Sequence, residues 1–195
     1  MRIVAGFPET QRARAAELFW EAFSGKLGRL LRPEGKARDF LERALSPEHA
    51  LSALSDNGEL LGIAGFKTLS GGLVSAGYAD IARVYGRVGA LWRGPALDLL
   101  ERPLTERQLL MDGLFVAGEA RGMGLGSALI DAVIDEAARR DMDEVRLDVI
   151  DGNPRARALY ERHGFRPAGQ VDLGPFRWLF GFRHSTTMRR RLHPQ

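Results

Sequence analysis

The sequence predicts a mixed α/β sheet flanked by helices, on three observations. The apolar period shortens from about four to two over residues 49–69. Inside that stretch "DNG" offers Asn57-Gly58, a pair that accepts the positive φ angles of a tight hairpin turn. Two strand-turn-helix units follow, beginning at Leu109 and Glu144. With 195 residues, 45% of them hydrophobic, and no repeat or linker, the chain is expected to form one domain over 1–195.

Residues 2–5 read as a short strand and 6–10 as a turn into a helix striped by Ala15, Leu18, Phe19 and Ala22. A second helix follows Pro33 with Phe40, Leu41, Ala44 and Leu45 on one side, and stops before Ser46-Pro47. Strands over 49–55 and 60–69 flank the hairpin turn. A stretch as long as 70–108 needs internal order, and Ile81, Tyr85, Val88 and Trp92 fall on one helical face, with Pro95 opening a second short helix to residue 101. A helical insertion is therefore expected at about 75–103. Residues 109–116 form an apolar strand, and Leu125, Ala128, Leu129, Ala132 and Val133 stripe the helix after it. On the opposite side of that helix Asp135 with Arg139, and Glu136 with Arg140, are spaced as ion pairs. Residues 144–150 make another strand. Asn153 then caps a helix that starts at Pro154 and stops at Gly164. A last strand is expected over 175–189, with Phe176, Trp178, Phe180 and Phe182 on one side.

Composition excludes several chemistries. Without cysteine there is no disulfide, thiolate metal site or cysteine nucleophile, which fits a reducing cytoplasm, and no metal is expected. The N-terminus meets charges and a proline too soon for a signal peptide, and no apolar run approaches the ~20 residues of a membrane span. The net charge of +3 is dispersed among acidic residues. Only the tail "MRRRLHPQ" clusters cations, and a solvated end explains it more simply than nucleic-acid contact.

The stretch "EARGMGLGSALID" (119–131) sets Arg121 and three glycines, Gly122, Gly124 and Gly126, before a helix. The first amides of a helix lack internal partners and carry partial positive charge, so an anion there gains hydrogen bonds and a favourable dipole. Glycines let it approach, and the arginine adds charge. A mononucleotide P-loop would need a lysine after the last glycine, where Ser127 stands. A dinucleotide turn would need a third glycine at that same place. Turn glycines with no ligand are the remaining reading.

Together with "VRLDVIDGNPRARALYERHGF" (145–165), the stretch resembles the GNAT superfamily of acyl-CoA-dependent N-acyltransferases. Its Q/R-x-x-G-x-G/A motif is matched by Arg121, Gly124 and Gly126. The strand, Asn cap, Tyr-bearing helix and Gly-Phe ending then follow in order. The resemblance implies a mostly antiparallel sheet in which the two motif strands splay apart. Leu114, Phe115 and Val116 would pair with the pantetheine arm of acetyl-CoA, and Arg121, Gly122, Met123, Gly124, Leu125, Gly126 and Ser127 would hold its pyrophosphate. Asn153 would contact the pantetheine, or serve only as a helix cap. Tyr160, two helical turns after Asn153, would give a hydrogen bond or proton to the departing thiolate, unless it merely packs. An amine acceptor, small molecule or peptide, must lose a proton, and Asp148 and Asp112 are rival bases, with His184 a third; either aspartate can equally be a salt-bridged strand carboxylate. An amide near Val116 would meet the thioester oxyanion. The insertion, together with the aromatic last strand, would wall the acceptor pocket, or else cover the sheet or join two copies of the chain in a homodimer. A non-catalytic acyl-CoA sensor would keep the turn but need neither Tyr160 nor a base.

Overall fold

A computed structural model describes residues 1–98, 103–172, 174 and 181–192 of the chain. Its strands are β1 (Arg2–Ala5), β2 (Ala50–Leu54), β3 (Leu60–Thr68), β4 (Gly71–Gly72), β5 (Gln108–Val116), β6 (Glu144–Ile150), β7 (Arg166–Asp172) and β8 (His184–Arg191). The longer helices are α1 (Arg12–Leu31), α2 (Glu34–Ala44), α3 (Tyr78–Asp98), α4 (Leu125–Arg139) and α5 (Pro154–Arg162). The strands form one sheet in the order β1-β2-β3-β5-β6-β8-β7, with β4 paired beside β3. Only β5 and β6 pair in parallel, so the sheet is mixed and mostly antiparallel, as expected.

Gly58, at φ 82°, makes the predicted hairpin turn between β2 and β3. Helices cover both faces. A Cβ on Gly62 would meet Leu129 of α4, whereas one on Gly113, which pairs with Gly65, would meet Phe23 of α1. Gly62 and Gly65 are three residues apart and so face opposite ways. On the α1 face Phe19, Phe23 and Phe115 form a tilted and edge-on ring cluster with centroids 4.7–5.9 Å apart. On the α4 face Leu125, Leu129 and Val133 are buried with Val145, Leu147 and Val149 of β6.

Several expectations require correction. The insertion is helical, but its break lies at Gly86 (φ 75°, ψ 164°), and Pro95 sits inside the continuing helix instead of opening a new one. The kink destroys the predicted face: Ile81 is buried, while Val88 is 82% exposed and Trp92 47%. Residues 99–102 lie outside the described set. The insertion's described part, α3, packs against α1 and α2: Tyr85 Oη donates to the Leu31 carbonyl (2.6 Å) and Arg93 Nε to that of Leu30 (2.8 Å), fastening α3 to the end of α1. The expected Glu136–Arg140 pair forms, but Arg139 pairs with the same buried Glu136 and not with Asp135. The last strand begins at His184, and residues 175–180, with Phe176, Trp178 and Phe180, lie outside the described set. The arginine tail is no free end, because Met188 through Arg191 complete β8, and Met188 is fully buried. β7 escaped notice because it is an edge strand exposed along nearly its whole length, so its residues carry no apolar alternation.

Candidate active site

β5 and β6 pair from Gln108–Glu144 to Met111–Leu147 and then part. Beyond that point β5 stays paired to β3 as far as Val116–Gly62, and β6 stays paired to β8 as far as Ile150–Ser185. The facing edges of residues 112–116 and 148–150 are therefore without a strand partner among the described residues. Five residues of extended backbone offer about 16 Å of open edge. At the fork the β3–β5 register steps from Gly65–Gly113 to Phe66–Met111, which leaves Asp112 as the extra residue of a β-bulge. Bulges re-aim side chains. Here the Asp112 carboxylate is turned toward Gly65, where a Cβ would come within 3.0 Å of its Oδ1.

Asp112 is exposed to solvent on β5. Desolvation by the protein packed beside it raises its pKa to about 7, against the opposing pull of Lys67 and of a backbone hydrogen bond. Sequence reasoning missed Lys67, which no local pattern connects with residue 112; only the pairing of β3 with β5 brings the two together.

At the open end of the fork the chain turns through Gly122 (φ 83°) and Gly124 (φ 79°) into α4. Neither glycine has a neighbour within 4 Å of where a Cβ would stand, so backbone conformation and open space dictate both. Gly124 is the helix cap and supplies no side chain. The first bond into the helix runs from Ala128 N–H to the Gly124 carbonyl (3.1 Å), so the amides of Leu125, Gly126 and Ser127 precede it and remain available to an anion. Gly126 has a different duty, since a Cβ there would lie 3.3 Å from Leu159 of α5. Arg121 is exposed, with its Nε 3.4 Å from the Val116 carbonyl, which ties the turn to the end of β5.

Asn153 Oδ1 accepts the Ala156 N–H (3.1 Å), so the cap role is filled. Tyr160 is buried against Phe165, ring centroids 6.1 Å apart, and burial pushes its pKa up to about 12. Among the described residues its hydroxyl has no hydrogen-bond partner.

The profile of the Acetyltransferase (GNAT) family matches residues 12–165, most of the chain. The chain belongs to the GNAT acetyltransferase family. It is 40% identical over 99 residues to a mycothiol acetyltransferase of Clavibacter michiganensis, a match that covers 45% of this chain and 32% of that protein. It is 36% identical over 68 residues to a thialysine N-epsilon-acetyltransferase of Sus scrofa, covering 35% of this chain and 40% of that one. Each match thus spans less than half of the relative's length. In fold, a GCN5-related N-acetyltransferase from Kribbella flavida superposes over 98% of this chain and 97% of its own with a TM-score of 0.66, at 19% identity.

Within this GNAT domain the rival carboxylates have different surroundings. Asp148 accepts from Thr187 Oγ1 (2.5 Å) and lies 3.4 Å from Nη2 of Arg146, whose other terminal nitrogen donates to the Pro103 carbonyl. Arg146 and Thr187 are both buried, so the carboxylate is built into a polar brace across β6 and β8. The sequence hinted at half of it, because Arg146 and Asp148, two apart on a strand, must share a face. His184 opens β8 with Nδ1 3.7 Å from Asp172, its register partner on β7. No group of three or more metal-ligating side chains occurs among the described residues, and no helix there is long and apolar enough to cross a membrane.

Proposed function

We propose that the protein transfers an acetyl group from acetyl-CoA to a primary amine by direct attack in a ternary complex. The observation that carries this reading is the fork itself: two parallel strands that part at a bulged carboxylate, with a helix N-terminus that has no side-chain cap at the open end. The pantetheine arm pairs with the free edge at Leu114, Phe115 and Val116, and the pyrophosphate sits on the amides of the 121–127 turn beside Arg121. An amide of that same edge meets the thioester oxyanion. Asn153 acts through the helix it caps.

Asp112 is the general base. A lysine-like amine near pKa 10.4 is less than about one part in a thousand neutral at pH 7. Raising the carboxyl from its ordinary value to about 7 roughly halves the pKa gap to that ammonium, so the proton can leave as the amine attacks. Asp148, already held by Thr187 and Arg146, acts structurally. Tyr160 gives the departing thiolate a hydrogen bond. With its pKa near 12 and a thiol near 8.5, complete proton transfer would be uphill by about 5 kcal/mol, so the thiolate leaves hydrogen-bonded and takes its proton from water. No cysteine is present to carry the acetyl group covalently, which supports direct transfer. The names of the mycothiol and thialysine acetyltransferases support a small-molecule amine as acceptor. The test is thiol release from acetyl-CoA across a panel of amines. Stimulation by at least one amine, reduced about tenfold or more in Tyr160→Phe and Asp112→Asn, is expected; tight acetyl-CoA binding with no amine-stimulated release would instead make the protein an acyl-CoA sensor.

A further inference from the structure

A second charged site lies at the other end of β6 from the fork. There the end of α5, the start of β7 and the end of β8 border an open concavity of about 880 Å³ lined by Arg162, Arg166, Arg189, Arg190 and Arg191. Its only carboxylates are Asp131 and Glu144. Asp131 is bound by His163 Nδ1 (2.8 Å), and Glu144 by Gln108 (2.5 Å) and, at 3.5 Å, by Arg189. Arg190 donates to the His163 carbonyl (2.7 Å). Arg162, Arg166 and Arg191 have no ion pair or hydrogen bond among the described residues. Five arginines against two carboxylates leave three positive charges, the same as the formal charge of the whole chain.

Guanidinium groups stay charged at any physiological pH and match phosphate oxygens two at a time. A concave wall focuses their field inward. We propose that this hollow binds a small ligand bearing several phosphate groups, independently of the acetyl-CoA site. Its volume falls in the range of small-molecule pockets. Among the described residues no Phe, Tyr or Trp lines it, whereas single-stranded nucleic acid is held by aromatic platforms along an open track.

The test is calorimetric titration with inorganic tripolyphosphate at physiological salt, with CoA saturating so that the glycine turn is occupied. Binding is expected, weakened at least tenfold by Arg166→Ala and by Arg191→Ala, partly restored in Arg166→Lys, and unchanged in Arg121→Ala. Acetyl-CoA affinity should be the same in all the hollow variants. The inference is overturned if tripolyphosphate gives no binding at that salt, if CoA displaces it, or if the hollow variants bind it as well as the wild type. It is equally overturned if citrate or a single-stranded oligonucleotide binds as tightly with the same dependence on Arg166 and Arg191, since the site would then serve polycarboxylates or nucleic acid.

Discussion

Replacing Asp112 by Asn removes the one group at the fork whose basicity the fold has raised, and the effect depends on pH in a way that can be calculated. With a pKa of about 7, the carboxyl is about nine-tenths ionised at pH 8 and about one-tenth at pH 6. A positioned general base contributes roughly 10²–10⁴-fold. The ratio of wild-type to variant kcat/KM should therefore be about 10² or more at pH 8 and fall about tenfold by pH 6. Taking the ratio cancels the titration of the amine, which is common to both enzymes. The assay is initial-rate thiol release at subsaturating amine, with stopped-flow acetyl-CoA binding run beside it to show that the cofactor site is intact. Stability supplies an independent check. Folding raises this pKa, so the protonated group's contribution is complete below the unfolded value near 3.8 and is lost as pH climbs to about 7. Asp112→Asn should accordingly raise Tm more at pH 8 than at pH 4. A wild-type to variant ratio that stays constant from pH 6 to 8 would falsify the assignment of Asp112 as the base.

The rival carboxylate should respond differently: Asp148→Asn strips buried Arg146 of its counter-charge, so denaturant melts should show a loss of about 1–3 kcal/mol, with the pH dependence of kcat/KM unaltered. For Tyr160→Phe, a hydrogen bond to a charged group is worth about 1.5–3 kcal/mol, so single-turnover rates should drop roughly tenfold to a hundredfold while the acetyl-CoA Kd stays within about twofold. Arg121→Ala should raise that Kd about tenfold at low salt. Because Arg121 is exposed, the difference should shrink as added salt screens it, and a salt-independent effect would mean that the residue acts through structure instead.

What the sequence disclosed and what it withheld divide along a physical line. Local chemistry was legible: the Asn57-Gly58 turn, the β6 boundaries, the Asn153 cap and the glycine turn each depend on a few consecutive residues. The kink at Gly86 was not, because a glycine interrupting an apolar stripe is compatible with a continuous helix until the flanking turns find different partners. The tail was misread for a related reason. "MRRR" looks like a solvated end unless β6 and β7 are known to flank it, and that pairing is contributed by residues 144–147 and 166–167.

The two aspartates show the limit most sharply. "MDGL" and "LDVI" are equivalent in local pattern, each an acid between apolar neighbours on a strand. Their roles separate only through register. The Asp148 register brings Thr187 opposite it on β8, so the carboxylate is consumed by a hydroxyl 39 residues away in the chain. For Asp112, the one-residue slip between β3 and β5 removes any cross-strand partner and turns the side chain over Gly65, where lack of a Cβ makes room for it. A side chain at Gly65 would collide with Leu73 as well as with the carboxylate. The placement of the Asp112 carboxylate therefore depends on an unremarkable glycine on a neighbouring strand as much as on its own residue. The surroundings of Asp112 are a property of how three strands are aligned, and they arise at the point where the ladder between β5 and β6 stops.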